Sequence, residues 1–335
     1  MMKNIMEKNI LIYNSGGGLG DSIQIFDLII SLKNKFKDHN FYYIGGHGNH
    51  FNNLLKNYNI KINTLDLKIK YFGFRWWHYL IVKSRLKSTN IENFNIIIDL
   101  QSKVRNTLVL KRIPCKYFYS QTFDYKFCTK KNKYSNEKKN IFANLENLEK
   151  LLDTKIPLLK YNIASIDNDY FMEAKKILPN NNYIGFSITQ GNLYRKKNWP
   201  IYKFINVAKK ITEMNKVPVF LIKKNDSELI SEIKNEIKDA IFPEEHSKYS
   251  DPAFVTALAT RLNLTISINN GIMHMVGLAK KPMILLFGSG GTNEDEKFAP
   301  KYSSVKILNS TKMYNTTDIS KISEKDILEL LESFN

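Results

Sequence analysis

The amino-acid sequence predicts an α/β protein built from two domains, each with a parallel β-sheet covered by helices. Short apolar runs rich in β-branched residues, typical of buried strands, alternate along the chain with apolar patterns of helical period. This alternation weakens between Lys155 and Asp169, where Pro157 and several polar residues stand. We therefore expect a first domain over residues 1–160 and a second over residues 161–335.

In the first half, each apolar run ends at a polar or glycine-bearing turn, and a helical pattern usually follows. The predicted strands lie at 9–14, 41–44, 60–66, 95–100 and 117–119. The predicted helices lie at 22–36, 50–58, 104–111 and 141–153. Residues 71–88 are aromatic and basic and are expected to form a partly exposed helix or loop-helix, whereas the lysine-rich residues 124–140 are expected to form a loop.

The second half repeats the alternation. The predicted strands lie at 183–188, 217–222, 240–242, 264–268, 283–287 and 304–308. The predicted helices lie at 169–178, 200–213, 226–238, 251–261 and 323–333, with a short one that begins near Gly271. Ser323 and Asp326 have the spacing of a near capping box at the start of the last helix, which is placed so that it can pack back on the first domain.

Length and composition exclude several classes of protein. The 335 residues, 43% of them hydrophobic, suit a packed globular chain. No apolar run approaches the roughly 20 residues of a membrane span, and the N-terminal apolar patch is too short for a signal peptide, so we expect a cytoplasmic protein. Cys115, Cys128 and the six histidines show no metal-ligand spacing, and a catalytic metal is not expected.

The net charge of +18 arises from 50 basic and 32 acidic residues. Such a surface favours polyanionic partners, namely nucleic acid, anionic membranes or phosphorylated substrates. The same excess can also be solvated surface, because lysine is abundant throughout the chain. No RNP, helix-turn-helix, KH or zinc pattern is present, so we expect no nucleic-acid partner.

The first glycine-rich turn, from Gly16 to Asp21, follows the first predicted strand. Its glycines allow a close approach to a ligand, but the run breaks the GxGxxG fingerprint at its last position, which argues against a dinucleotide site. Asp21 lies at the start of the next helix. There its carboxylate can accept a proton from a hydroxyl nucleophile, or it can cap the helix.

The loop before Pro200 is the second motif. It contains Thr189 at the end of a predicted strand and Lys197 close to the next helix, which Pro200 would begin. A lysine beside a threonine and main-chain N–H groups suits a diphosphate. The alternative is a solvated basic turn, with Trp199 packed in the core.

The turn from Asn269 to His274 is the third motif, and it opens a short helix. The unpaired N–H groups of such a turn and the positive end of the helix dipole form an anion site, unless the turn is simply part of an ordinary β-α-β unit. In the first half, Asp99 and Gln101 likewise follow a buried strand. Their side chains would either face a ligand or cap the next helix.

Together these motifs resemble the family 9 glycosyltransferases, the group of ADP-heptose:lipopolysaccharide heptosyltransferases. The resemblance covers almost the whole chain. It implies a GT-B fold, in which two Rossmann-like domains face each other across a cleft, with the acceptor on the first domain and the nucleotide-sugar on the second. The matching motifs are Gly20-Asp21, NIIIDLQ at 95–101, Lys197-x-Trp199-Pro200, Asn270-Gly271-x-Met273-His274, and Pro282 to Gly288 ahead of Pro300.

The resemblance implies an inverting, metal-independent transfer from a nucleoside-diphosphate sugar, with ADP-heptose as one candidate donor and no further cofactor. Asp21 would be the catalytic base. Asn269 and Glu228 would contact the donor sugar or the ribose. The acceptor side would include Gly18, Gly20 and Gln101. With Thr189, the residues at the donor diphosphate would be Lys197, Gly271, Ile272, Met273 and His274.

The implied acceptor is a lipid-linked or phosphorylated glycan, such as a lipopolysaccharide core. A basic protein also suits peripheral contact with the anionic inner face of the cytoplasmic membrane. The sequence departs from the family at Asn269, where an aspartate is usual, and this leaves the donor sugar open. A catalytically idle relative that binds a sugar-nucleotide or glycan is the alternative; Asn269 allows it, whereas Asp21 and Lys197 argue against it.

Overall fold

The chain divides into two compact units, Met1–Asn162 and Ile163–Asn335. Each contains a five-stranded parallel sheet with helices, which confirms the predicted α/β class. The computed structural model describes residues 8–14, 18–44, 51, 53–58, 60–101, 103–137, 141–189, 198–288, 295 and 298–334.

The first unit has the strand order β3-β2-β1-β4-β5. The predicted helix 22–36 is divided in two at Gln24 and Ile25, and the described part of 50–58 contains only the 3₁₀ turn Lys56–Tyr58. The strands are β1 (Asn9–Tyr13), β2 (Asn40–Tyr43), β3 (Ile62–Thr64), β4 (Phe94–Asp99) and β5 (Cys115–Ser120). The helices are α1 (Leu19–Ile23), α2 (Phe26–Lys35), α3 (His78–Lys87), α4 (Val104–Leu110) and α5 (Ile141–Leu152).

The central strands of this sheet are buried on both faces because helices cover a parallel sheet on both sides. Every residue of β1 is buried. One core cluster joins Leu11, Ile97 and Phe118 of the sheet to Val82 and Leu86 of α3. These contacts place α3 and the segment that precedes it on the sheet.

The second unit has the strand order β10-β9-β8-β6-β7. Its strands are β6 (Tyr183–Ser187), β7 (Val217–Phe220), β8 (Leu262–Ile268), β9 (Met283–Phe287) and β10 (Val305–Asn309). Its helices are α6 (Asn168–Ile177), α7 (Ile201–Glu213), α8 (Ser227–Glu236), α9 (Pro252–Ala259), α10 (Gly271–Leu278), α11 (Ser310–Tyr314) and α12 (Glu324–Glu332).

The last helix, α12, packs within the second unit, on α7, β9 and β10. Its buried Ile327 and Leu331 belong to the core cluster of that unit. The predicted capping box of Ser323 and Asp326 is confirmed. Trp199 is only 2% exposed, and its Nε1 donates to the main-chain oxygen of Ile322 at 2.9 Å, which makes it the expected core residue.

Each sheet has one point where the strand order reverses. In the first sheet it lies between β1 and β4, and in the second between β6 and β8. The connections that leave two such neighbouring strands run in opposite directions, and this opens a crevice at their carboxyl ends, where ligands bind in α/β proteins. The turns that begin α1 and α10, and the loops that begin at Leu100 and Ile188, all start from these ends.

Candidate functional site

The first candidate region is the N-terminal end of α1, directly after β1. Gly18 occupies the N-cap position in an extended conformation (φ −70°, ψ 142°). The N-cap of α1 is therefore Gly18 and not Asp21. Asp21 lies half-buried inside the first turn, and its main-chain oxygen accepts a hydrogen bond from Asn14 Nδ2 at 2.7 Å. A Cβ atom at Gly18 would lie 3.1 Å from Asp21 Oδ2. A larger residue at position 18 would therefore crowd the carboxylate.

Asp99, the last residue of β4, and Gln101, two residues beyond it, lie on the other side of this crevice, and their side chains have different surroundings. The carboxylate of Asp99 is fully buried and accepts hydrogen bonds from Thr107 Oγ1 at 2.5 Å, Ser120 Oγ at 2.8 Å and the main-chain nitrogen of Gln101 at 3.1 Å. It links β4 to α4 and β5, so the expectation that it faces a ligand is wrong. Gln101 is half-buried, and its Oε1 has no hydrogen-bond partner among the residues described.

In the second unit, Asn270 organises the crevice between β6 and β8. It is the N-cap of α10, and its Oδ1 accepts a hydrogen bond from the main-chain nitrogen of Met273 at 3.1 Å. Its Nδ2 donates to Ser187 Oγ at 2.7 Å and to the main-chain oxygen of Thr189 at 3.0 Å. One amide thus fixes the start of α10 and ties it to the end of the neighbouring strand. Sequence reasoning identified the turn but missed this role.

The first turn of α10 has two main-chain N–H groups, those of Gly271 and Ile272, without a hydrogen-bond partner in the described part of the chain. Both residues are half-buried, whereas Met273 and His274 are buried. The N–H of Met273 is already bonded to Asn270, and that of His274 is the first that the helix itself can bond. An anion at this turn would therefore be met by two N–H groups and the helix dipole, rather than by the four N–H groups expected from Gly271 to His274.

His274 contributes no positive charge to this site at neutral pH. Its side chain is 6% exposed, and desolvation lowers the pKa of the imidazole to about 4. The neutral ring is part of the buried face of α10. The His274 side chain therefore serves to pack α10 in the core and does not attract phosphate by charge.

The remaining donor-side candidates lie at or near the same edge of the sheet. Thr189 is half-buried and is held through its main-chain oxygen, and Asn269 is half-buried between β8 and the N-cap of α10. Glu228 is exposed in the first turn of α8, which follows the neighbouring strand β7. Lys197 lies outside the described residues.

A second carboxylate, Glu244, was missed by sequence reasoning. It lies in a 3₁₀ turn, Pro243–Glu245, that follows Ile241, which pairs in parallel with Val219 of β7. Burial raises the pKa of the Glu244 carboxyl, opposed by a hydrogen bond from the main chain of Lys224 and by nearby lysine charges. The sequence feature that could have indicated this carboxylate is Pro-Glu-Glu directly after a short apolar run.

Neither a metal cluster nor a membrane-crossing helix was found where the chain is described. No group of three His, Cys, Asp or Glu residues there could hold a metal ion. Within the same ranges, no helix has the length and apolar character to cross a membrane. Cys115 and Cys128 are free thiols, and burial raises the pKa of Cys115 to about 11, which makes it a poor nucleophile.

The sequence model of glycosyltransferase family 9 (heptosyltransferase) matches residues 83–327 of this chain. This range begins inside α3 and ends inside α12, so it includes about half of the first unit and nearly all of the second. Among curated protein sequences, none matches the chain.

Solved structures of the same fold superpose on nearly all of the chain. A family 9 glycosyltransferase from Veillonella parvula superposes with a TM-score of 0.67 at 19% identity, covering 99% of this chain and 98% of its own. The E. coli heptosyltransferase WaaC, solved with ADP-2-deoxy-2-fluoro heptose, gives 0.65 at 13% identity, with coverage of 98% and 100%. E. coli ADP-heptose LPS heptosyltransferase II gives 0.61 at 14% identity, with coverage of 97% and 98%.

Proposed function

Because the chain belongs to glycosyltransferase family 9 and is a glycosyltransferase, we propose that it transfers a sugar from a nucleoside-diphosphate sugar to a surface-glycan acceptor, with inversion and without a metal. The observation that carries this proposal is the N-terminal turn of α10. There Asn270 fixes a turn whose Gly271 and Ile272 N–H groups are bonded by no residue that the structure describes, at the point where the second sheet reverses its strand order.

On this proposal the second domain, residues 161–335, binds the donor. The N–H groups of Gly271 and Ile272 meet the diphosphate, together with Lys197 and Thr189, while Met273 and His274 keep the turn in place by packing. Asn269 lies next to the turn and contacts the donor sugar. Glu228, with Glu244 as a second carboxylate near the same edge, binds the ribose.

The first domain, residues 1–160, binds the acceptor. Asp21 is the catalytic base, and Gly18 leaves room beside its carboxylate. Gly20 belongs to the same turn, and Gln101 supplies a side-chain oxygen from the other side of the crevice between β1 and β4. These residues select a hydroxyl group of the acceptor.

The proposed chemical step exchanges one bond of the anomeric carbon for another. The acceptor hydroxyl attacks the anomeric carbon of the donor and gives its proton to the Asp21 carboxylate as the new C–O bond forms. The bond from the anomeric carbon to the diphosphate breaks, and its electron pair leaves with the diphosphate. The N–H groups of α10 and the Lys197 ammonium stabilise that charge, which removes the need for a metal ion. Attack on the face opposite the leaving group inverts the anomeric centre.

The family and the heptosyltransferase structures support a donor of the ADP-heptose type and an acceptor of the lipopolysaccharide-core type. Such an acceptor is lipid-linked and phosphorylated, which suits a chain of net charge +18. We place the reaction in the cytoplasm. Asn269 is the residue at which the donor sugar could differ from heptose.

A thermal-unfolding screen of ADP, UDP, GDP and CDP, with and without EDTA, tests the donor half. A nucleotide present at about 100 times its dissociation constant should stabilise the fold by about 3 kcal/mol, and EDTA should leave that gain unchanged. A strict requirement for a divalent ion in sugar transfer would contradict the metal-independent mechanism. Nucleotide binding without transfer to any lipid-linked glycan would favour a catalytically idle relative.

A further inference from the structure

The first unit exposes a cluster of large aromatic and apolar side chains between the end of β3 and the middle of α3. Tyr71 is 84% exposed and Trp76 is 75% exposed. Folded soluble chains rarely leave so many large apolar side chains together in water unless they meet a partner. We call this surface the aromatic face, and its members are Tyr71, Phe74, Trp76, Trp77, Tyr79 and Leu80.

The aromatic face is surrounded by positive charge. No acidic residue occurs between Asp66 and Glu92, and none occurs from Leu100 to Phe123, which includes the adjoining helix α4. The basic side chains on the first of these stretches are Lys68, Lys70, Arg75, Lys83, Arg85 and Lys87.

Cations and rings are interleaved within this surface. The guanidinium of Arg105, on α4, lies 4.9 Å from the ring centre of Phe74. Arg112 lies 4.8 Å from the ring centre of Tyr79, and Arg75 lies 5.5 Å from those of Phe74 and Trp77. Three of the exposed rings thus have a cation beside them, an arrangement that suits a partner surface with both apolar and anionic groups.

The exposure is built into the fold rather than being a frayed loop. Gly73 adopts φ +74°, and a Cβ atom there would come within 2.7 Å of the Asn106 side chain. Asn106 Nδ2 donates to the main-chain oxygen of Phe72 at 2.8 Å and to the hydroxyl of Tyr13, at the end of β1, at 2.5 Å. These buried contacts hold the loop while Tyr71 and Phe74 on either side of Gly73 point to solvent.

A cleft of about 650 Å³ opens among these side chains. It is lined by the cationic Lys68, Lys70, Arg75 and Arg85 and by rings that include Tyr71 and Trp77. A lipid phosphate fits such a cationic cleft, and Trp and Tyr are the side chains that favour the boundary between lipid headgroups and acyl chains.

We propose that the aromatic face docks the first unit on an anionic phospholipid bilayer. The rings enter the headgroup boundary, and the surrounding lysines and arginines meet lipid phosphates. The face belongs to the segment that follows the carboxyl end of β3, and the adjoining α4 follows that of β4; the Asp21 turn starts from the same edge of the sheet. Given the proposed function, a lipid-anchored acceptor would thus be presented at the edge that carries the base. The docking itself does not depend on catalysis.

Vesicle binding of the full chain tests the proposal. Vesicles of phosphatidylcholine with about one third phosphatidylglycerol should bind the wild type, and binding should weaken with salt and in phosphatidylcholine alone. Because Trp199 is buried, a blue shift of tryptophan emission on binding reports Trp76 and Trp77. Trp76→Ala should lower the affinity by about tenfold, since binding scales with the buried apolar area.

The matched control is Tyr202→Ala, which removes an aromatic side chain, 57% exposed, from the second unit and should leave vesicle binding unchanged. Thermal unfolding and nucleoside-diphosphate binding should be unaltered in both variants, which separates docking from folding and from the donor site. If Trp76→Ala binds like the wild type while Arg75→Glu does not bind, the face is a general polyanion surface and the proposal fails. It fails equally if the wild type ignores anionic vesicles at low salt. A chain that docks but transfers no sugar would refute the proposed function alone.

Discussion

The N-terminal ends of α1 and α10 both lie where their sheet reverses its strand order, but on opposite sides of that point, and they differ in charge and capping. Each follows a strand that flanks the crevice of its sheet. The first turn of α1 contains the carboxylate of Asp21 and begins at a glycine. The first turn of α10 contains no acidic side chain and begins at Asn270, which caps it.

This difference supports the proposed division of donor and acceptor between the two units. A carboxylate in the first turn of α1 already occupies the positive end of that helix dipole and would repel a phosphate. The first turn of α10 offers two N–H groups and contains no acidic side chain, so it suits the diphosphate. On the proposed function, a helix N-terminal turn therefore supplies the proton acceptor in one unit and the anion site in the other.

The largest expected effect comes from Asp21→Asn. The amide keeps the shape of the side chain but cannot accept the proton, so transfer should fall by about 10³-fold. ADP affinity, measured by calorimetry, should stay within about twofold, because the proposed donor site lies on the second unit. Transfer at a wild-type rate would remove Asp21 as the base, and a large loss of ADP affinity would break the division of roles between the two helices.

The next effect concerns His274 and pH. Its pKa is about 4 in the folded chain, below the usual 6.5, so the unfolded chain binds the proton first as the pH falls. The resulting stability is present above pH 6.5 and is lost between 6.5 and about 4, a change of about 3 kcal/mol. Denaturant unfolding of the wild type and of His274→Phe across this range should show a weaker pH dependence in the variant. Equal dependence of the unfolding free energy on pH in the two proteins would contradict a neutral His274 ring on the buried face of α10.

A smaller effect is expected for Asn270→Ala. It removes the cap of α10 and the bonds to Ser187 and Thr189, at a cost of about 2 kcal/mol in unfolding free energy, and it should weaken ADP binding severalfold. Asn309→Ala is the matched control, because Asn309 caps α11 in the same unit. The control should lose similar stability and keep its ADP affinity. A parallel loss of ADP affinity in both variants would mean that the effect is general destabilisation.

The strands and the helix cap that depend on neighbouring residues in the sequence could be predicted from the sequence pattern. The apolar runs gave the strands of both sheets, although the predicted strand 240–242 forms only a single bridge between Ile241 and Val219. The spacing of Ser323 and Asp326 gave the capping box of the last helix. The interruption at Gln24 and Ile25, which divides the first predicted helix, was missed because both helices share one apolar stripe. The apolar period alone does not reveal such an interruption.

The site was only partly predictable, because several of its features depend on which strands become neighbours. Asn270 bonds to Ser187 because β8 lies beside β6, and Asp99 turns inward because β5 supplies Ser120. The burial of His274 likewise follows from packing between distant segments. By contrast, the polar turns after β1 and β8 could be identified directly from their glycines and from the apolar runs before them.

The most direct test of the central claim removes one N–H group from α10 without removing the helix. Proline is tolerated at the first helical position, and Asn270 before it is already extended, so Gly271→Pro should keep the helix start. Gly271→Ala keeps the N–H group and serves as the reference. The dissociation constant of ADP, measured by calorimetry, should rise about tenfold in the proline variant and stay near the wild-type value in the alanine variant. Equal ADP affinity in both would contradict the assignment of the diphosphate to this turn.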